Sequence, residues 1–286
     1  MKTAIIVNLT KEKAISCTRD IIALLKQNGA EICMPVDCKN YYKNYGITFY
    51  HKMEAMFEES DAAITVGGDG TIIHAAKYAA KTHTPLIGVN VGRLGFAANV
   101  EVDEIEELGK LLSGDYTSES RTLLDIEVVK PGGSEHYLAV NDAVVAHGQL
   151  SKIVDLTLSL DGEEISKYRA DGLLFSTPTG STAYSLSAGG PILSPQMNCI
   201  LMTPVCPHSL FSRSVLFDGN SELAVTVKIP PECSCVLTVD GEKNIQIFEN
   251  DKVIIRSSEL KLNLILVKKY NFYTRLNEKL KERELS

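Results

Sequence analysis

Apolar residues follow two rhythms along this chain. Over residues 1–118, short β-branched runs alternate with stretches in which apolar positions recur every three or four residues. Residues 3–8 read as a buried strand. Residues 11–28 place Ile15, Thr18, Ile22 and Leu25 on one helical face, which stops at Gly29. A short strand over 31–34, a Tyr/Asn/Lys-rich loop over 37–46 and a helix over 49–59 follow. A strand over 62–66, a Gly-rich turn, a helix over 71–81, a strand over 85–90 and an acidic helix over 103–112 complete this half. Strands alternating with helices predict a parallel, Rossmann-like sheet with ligands at the carboxyl ends of its strands.

From about Arg121 the period shortens to two. Residues 125–130, 137–146, 153–160, 172–175, 221–229, 235–240, 244–248, 252–256 and 262–267 read as strands. Turn signals such as Pro131-Gly132-Gly133, Asp161-Gly162 and Asp240-Gly241 separate many of them. Residues 271–285 return to a charged, amphipathic helical pattern. The expected division is an α/β domain over 1–118, a β-rich, β-sandwich-like domain over 119–268, and a C-terminal helix over 269–286 that packs back onto the first domain.

A chain of 286 residues is long enough for two separate cores. Its net charge of −7, from 29 basic and 36 acidic residues, gives no global bias toward nucleic acid or an anionic membrane. Neither is expected as a partner. Seven cysteines without a C-x-x-C pair read as reduced, mostly buried thiols rather than disulfides or metal ligands. The first residues run straight into a strand without a signal-peptide pattern, and no apolar run nears the ~20 residues of a membrane span. A cytoplasmic setting is expected.

The chemistry gathers around Thr65-Val66-Gly67-Gly68-Asp69-Gly70-Thr71. A strand that ends in glycines and passes into a helix offers backbone N–H groups where the helix dipole favours an anion. An acid among such amides makes little sense for phosphate alone; it suits a base for a hydroxyl or a partner of a divalent cation. In isolation the stretch is also compatible with an ordinary tight turn. It matches neither the P-loop nor the dinucleotide fingerprint, since Ile73 stands where the latter needs a third glycine.

Three further stretches add to it. Asn141-Asp142 interrupts an apolar strand run, where an amide and a carboxylate are costly to bury without partners and suit ribose hydroxyls or an adenine edge. The small, hydroxyl-rich run Ser176 to Pro191 holds one aromatic, Tyr184. It lets a flat ring lie against the backbone. Gly180-Ser181 lacks the G-x-S-x-G elbow of a serine hydrolase. Arg169 is the nearest cation to this region. His74 follows the Gly loop within the same helix, and His208 sits in an apolar context that favours a structural role.

Together with Asn90-Val91-Gly92-Arg93-Leu94-Gly95-Phe96, these stretches resemble the NAD kinases in order and spacing, over nearly the whole chain. The first motif alone is shared with diacylglycerol, sphingosine and phosphofructo-kinases. Its combination with Asn141-Asp142 and the Thr182-Ala183-Tyr184-Ser185-Leu186-Ser187 run is far more specific. The resemblance implies transfer of the γ-phosphoryl group of ATP, or of another donor, to the 2′-hydroxyl of the adenosine ribose of NAD, with Mg²⁺ on the donor phosphates. It implies that Asp69 is the base and that Gly68 and Gly70 hold the donor phosphates. Asn141 and Asp142 would bind the acceptor. Asp171 and Thr182, Ala183, Tyr184, Ser185, Leu186 and Ser187 would enclose its nicotinamide and adenosine parts. His74, Lys152 and Arg169 are carried over as nucleotide-binding positions, and a homodimer or homotetramer is implied. Glu242 departs from the Asp-Gly-Gln often seen after Asp240. Two rivals stay open at this point: a lipid kinase of the same superfamily and a non-catalytic NAD-binding module.

Overall fold

The computed structural model describes residues 1–92, 95, 98–148, 153–209, 212–229, 234–269 and 271–284. Two units divide the chain: Met1–Ser120 with Lys261–Ser286, and Arg121–Leu260.

The first unit opens with β1 (Lys2–Val7), α1 (Glu12–Gln27), β2 (Glu31–Pro35) and α2 (Lys39–Tyr42). It continues through β3 (Thr48–Tyr50), α3 (Met53–Glu58), β4 (Ala62–Gly67), α4 (Asp69–Thr82) and β5 (Leu86–Asn90). The short β6 (Val100–Glu101) and α5 (Gly109–Ser113) follow. Every strand pair here is parallel, in the order β5-β4-β1-β2-β3, with Ile5 opposite Ile64 and Ile64 opposite Ile87. β1, β4 and β5 are buried almost throughout, so they read as continuous apolar runs. Fully buried Ile21, Ile22 and Leu25 seat α1 on the sheet, each worth about 1.5–3 kcal/mol against exposure. Gly29 then takes the left-handed φ of +76° that ends the helix.

The second unit takes most of β7 (Thr117–Lys130), then β8 (Gly133–Ala139), β9 (Asp142–His147), β10 (Val154–Leu160), β11 (Glu163–Ala170) and β12 (Gly172–Ser176). After the single turn α6 (Tyr184–Ser187) come β13 (Cys199–Val205), β14 (Val215–Asp218), β15 (Leu223–Lys228), β16 (Cys235–Val239) and β17 (Lys243–Ile247). β18 (Lys252–Leu266) and the helix α7 (Phe272–Glu284) close the chain. One antiparallel sheet has the order β14-β13-β12-β9-β16-β17. In the other, β11, β10, β15 and the first half of β18 lie side by side. Leu173 and Phe175 of the first share one core with Leu156, Val225 and Val253 of the second. This is the β-sandwich-like domain expected, beside an α/β domain with a parallel sheet.

Several expected boundaries move, each for a local reason. The C-terminal division falls at residue 260 rather than 268, because β18 is one strand rather than two and its far end pairs with β5, Leu264 opposite Leu86. Residues 49–50 leave the expected helix to pair as β3, with Phe49 opposite Met34. The expected loop over 37–46 is helical turns around Tyr42, whose buried ring donates its hydroxyl to the Ile15 carbonyl at 3.1 Å. The helix expected over 103–112 is a 3-10 segment, Val102–Leu108, kinked at Glu104, followed by α5. Residues 137–146 are two strands, for a reason that belongs to the site.

Candidate active site

β1 and β4 are neighbours, but the chain leaves them in opposite directions, through α1 to β2 and through α4 to β5. Such a switch point opens a crevice outside the carboxyl ends of the two strands. A cavity of about 600 Å³ lies there. Asn8 and Leu9 line it beyond β1, Val36 and Asp37 beyond β2, and Gly68, Gly70, Thr71 and His74 from the Gly loop and α4. Gly68 is extended (φ −111°, ψ −172°) and caps α4, whose first residue is Asp69. The first amides of a helix have no partner within it, so α4 opens toward this crevice as an anion-binding end.

Asp69 is held from two sides. A Cβ at Gly95 would stand 3.0 Å from its Cγ and closer still to Oδ1, so only glycine lets the second Gly-rich stretch lie against this carboxylate. Lys279 of α7 places Nζ 3.4 Å from Oδ2. α7 is itself anchored by Arg275, which donates Nε to the Gly95 carbonyl at 2.8 Å and Nη2 to Glu101 at 2.5 Å. Asn271 caps the helix by accepting the N–H groups of Tyr273 and Thr274. His74 is exposed and meets Tyr78 edge-on, ring centroids 5.7 Å apart.

A second set of candidates is built in the other unit. Val140 and Asn141, the two residues between β8 and β9, belong to neither strand, and their N–H groups go to a carboxylate. Asp240 accepts Val140 N at 3.0 Å, Asn141 N at 2.7 Å and Asp142 N at 3.1 Å. Asp240 and Gly241 both have left-handed φ, 51° and 68°, in the turn from β16 to β17. Burial, then the charge of Asp240, push the Asp142 carboxyl up to about 7. The Asn141 carbonyl in turn accepts Thr177 N at 2.9 Å and Ser176 Oγ at 3.2 Å. At Gly180 a Cβ would fall 2.5 Å from the Asn141 carbonyl carbon, so this glycine is fixed by close approach of two backbones.

The structure brings Asn141 and Asp142 together with the loop that begins at Ser176. Thr182 and Ser185 are buried, Ser185 with its hydroxyl 3.2 Å from that of Thr203, whereas Tyr184 is 47% exposed and Ser187 is exposed. Ala183 and Leu186 are half-buried between them. Thr179 Oγ1 is buried, with no hydrogen-bond partner among the described residues. Asp171 places Oδ1 3.8 Å from His147 Nε2. Arg169 stands apart on β11, exposed, with Nε 3.9 Å from Asp155. His208 donates its backbone N–H to the Arg169 carbonyl at 2.9 Å. Lys152, like Arg93, Leu94 and Phe96, lies outside the described residues. Asp240 and Lys279 are the neighbours that sequence reasoning missed; Asp240-Gly241 carried a signal, read only as a turn.

A parallel sheet with a carboxylate-bearing Gly loop at its switch point, in one chain with an antiparallel β-sandwich, has the makings of a two-domain nucleotide-binding protein. The profile of the ATP-NAD kinase N-terminal domain matches residues 3–116, and that of the C-terminal domain matches residues 140–267. The chain is 35% identical to an NAD kinase of Thermoanaerobacter sp. (strain X514) over 286 residues, 99% of each chain. It is 36% identical to an NAD kinase of Cellvibrio japonicus (strain Ueda107) over 279 residues, 96% of this chain and 93% of the other. Yeast NADH kinase complexed with NADH superposes with a TM-score of 0.88 at 25% identity, over 98% of this chain and 87% of that one. An NAD kinase from Archaeoglobus fulgidus in complex with ATP shares the fold, with a TM-score of 0.78 at 23% identity, over 98% and 99%. The chain belongs to the ATP-NAD kinase family.

Proposed function

We propose that this protein phosphorylates NAD to NADP, moving the terminal phosphoryl group of ATP to the 2′-hydroxyl of the adenosine ribose. The observation that carries the reading is the Asp69 carboxylate at the first turn of α4, within the Gly loop and beside the switch-point cavity. There it accepts the proton of the attacking hydroxyl and orients it, a role worth typically ~10²–10⁴ in rate. The Gly loop and the amino end of α4 hold the donor phosphates. Asn141 and Asp142, fixed by Asp240, and the loop from Thr182 to Ser187 bind the acceptor, with Asp171 on its nicotinamide part.

Among the described residues no three His, Cys, Asp or Glu side chains form a metal-ligand group. That fits Mg²⁺, which keeps its waters and rides on substrate phosphates with one or two carboxylates. The ion would ride on the donor phosphates at the Gly loop and neutralise charge on the transferring group. The six cysteines described are unpaired, which fits a cytoplasmic setting. No helix among the described residues is long and apolar enough to cross a membrane. Self-association as a homodimer or homotetramer completes the reading.

The test is NADP formation from purified protein, NAD, ATP and Mg²⁺, coupled to an NADP-specific dehydrogenase, with NADH as a second acceptor. Product that needs every component and falls about 10²-fold or more in Asp69→Asn is expected. Near wild-type turnover in that variant, with its fold intact, removes Asp69 from the base role.

A further inference from the structure

We propose that Lys279 of α7 is a positioning residue for the phosphoryl transfer: it holds the Asp69 carboxylate in the orientation in which it meets the attacking hydroxyl. The inference rests on the kinase reading above and adds a residue, and a whole helix, to its apparatus.

On a charged terminal helix most charged side chains simply face solvent, as Glu278 and Lys281 do here. Lys279, between them, does not. Its side chain is 15% exposed and brings its ammonium to the carboxylate on the first turn of α4. A closed set of contacts fixes it there. Leu276 is buried and seats α7. Arg275, four residues before Lys279 on the same face of the helix, ties α7 to the Gly95 carbonyl and to Glu101. The other Glu101 oxygen accepts Asn90 Nδ2 at 2.8 Å. Asn90 ends β5 opposite Gly67 of β4, two residues before Asp69. The path from Asp69 through Lys279, Arg275, Glu101 and Asn90 thus returns to the strand that carries the Gly loop.

Strength and leverage separate a positioning role from a mere tether. Nζ stands 3.4 Å from Oδ2, and the Asp69 side chain is 35% exposed. An ion pair that open adds little to stability. Its leverage on the reaction is larger. The Gly95 backbone crowds Oδ1 while Lys279 stands at Oδ2, so each oxygen of the carboxylate has its own support. Displacing a reacting group by ~1 Å can cost ~10²-fold in rate, so a contact that is weak for the fold counts for the chemistry when it stops the base from turning. Lys279 itself gives and takes nothing in the transfer. The hydroxyl proton passes to Asp69, the ribose oxygen bonds to the terminal phosphorus, and the bond from that phosphorus to the ADP oxygen breaks.

Steady-state kinetics of NADP formation by the full chain, with NAD and MgATP varied in turn, tests the assignment. Lys279→Met keeps the bulk of the side chain and removes its charge. It is expected to lower kcat about tenfold or more and to leave both KM values within about twofold. Its melting temperature should stay within about 3 °C of the unaltered chain. Lys279→Arg returns a cation to the place and is expected to recover most of the loss. In an Asp69→Asn chain, adding Lys279→Met is expected to cost less than about twofold more, because a residue that acts through a carboxylate loses its object with it. An unchanged kcat in Lys279→Met, a loss carried by KM, or a second tenfold loss in the Asp69→Asn chain would each overturn the assignment. So would a loss shared by Lys279→Arg and matched by a lowered melting temperature, which would make Lys279 a tether of α7. An unaltered chain that forms no NADP would instead overturn the kinase reading itself, and this inference with it.

Discussion

Asp142 and Asp240 are two carboxylates at one end of β9 with opposite tasks. Asp240 is satisfied by three backbone N–H groups, and Asp142 is buried beside its charge. Burial and that charge raise the Asp142 carboxyl from the ordinary 3.8 to about 7, so the folded chain keeps a proton that the unfolded chain releases. The folded state then binds more protons between those values. Stability should fall as the pH rises through this window and level off above about 7. Urea unfolding at pH 5 and pH 8 should show that slope, and Asp142→Asn should flatten it. At Asp69 the constraint is steric: Gly95→Ala should push the carboxylate aside and cost about tenfold or more in turnover at little cost in melting temperature. Asp69, Asn141 and Asp142 were legible because each lies within a short run whose neighbours betray it. Asp240 was not, because its partner amides lie 98 to 100 residues away.

At the scale of elements, the link that matters joins α7 to the Gly loop. Arg275 is 11% exposed and serves both Glu101 and the Gly95 carbonyl, while Lys279, one turn on, reaches Asp69. Arg275→Ala should leave Glu101 and that carbonyl short of a donor at a cost of about 1–3 kcal/mol, read as a lower melting temperature together with slower turnover. A lowered melting temperature with unchanged kcat would separate the helix from the site. Buried strands such as β4 and β5 announced themselves by continuous apolar runs, and α1 by its spacing. β11 did not: it lies at the sheet edge, and its exposed positions carry Glu163, Glu164, Lys167 and Arg169. The single break within residues 137–146 was illegible for the same reason as Asp240, since a carboxylate from a distant turn makes it.

On the scale of the whole molecule, a net charge of −7 gives no overall attraction for phosphates, so whatever holds them is local to the site. Sedimentation equilibrium is expected to give two or four times the chain mass, at concentrations where turnover is measured; a monomer with full activity would overturn the proposed self-association. The two-domain plan was legible because the period of apolar residues changes near Arg121. Its closing stroke was not, since nothing local tells that residues 261–266 continue a strand begun in the second unit. That stroke bears on how the protein is made. A ribosome delivers the first unit in two instalments, residues 1–120 before and residues 261–286 after a whole β domain. Until the second arrives, β5 lacks the Leu264 neighbour, Gly95 lacks its arginine and Asp69 its lysine. A chain cut within residues 261–286 should therefore keep its second unit folded and lose the contacts that hold Asp69 and Gly95, read as lost turnover beside a retained β-sheet signal.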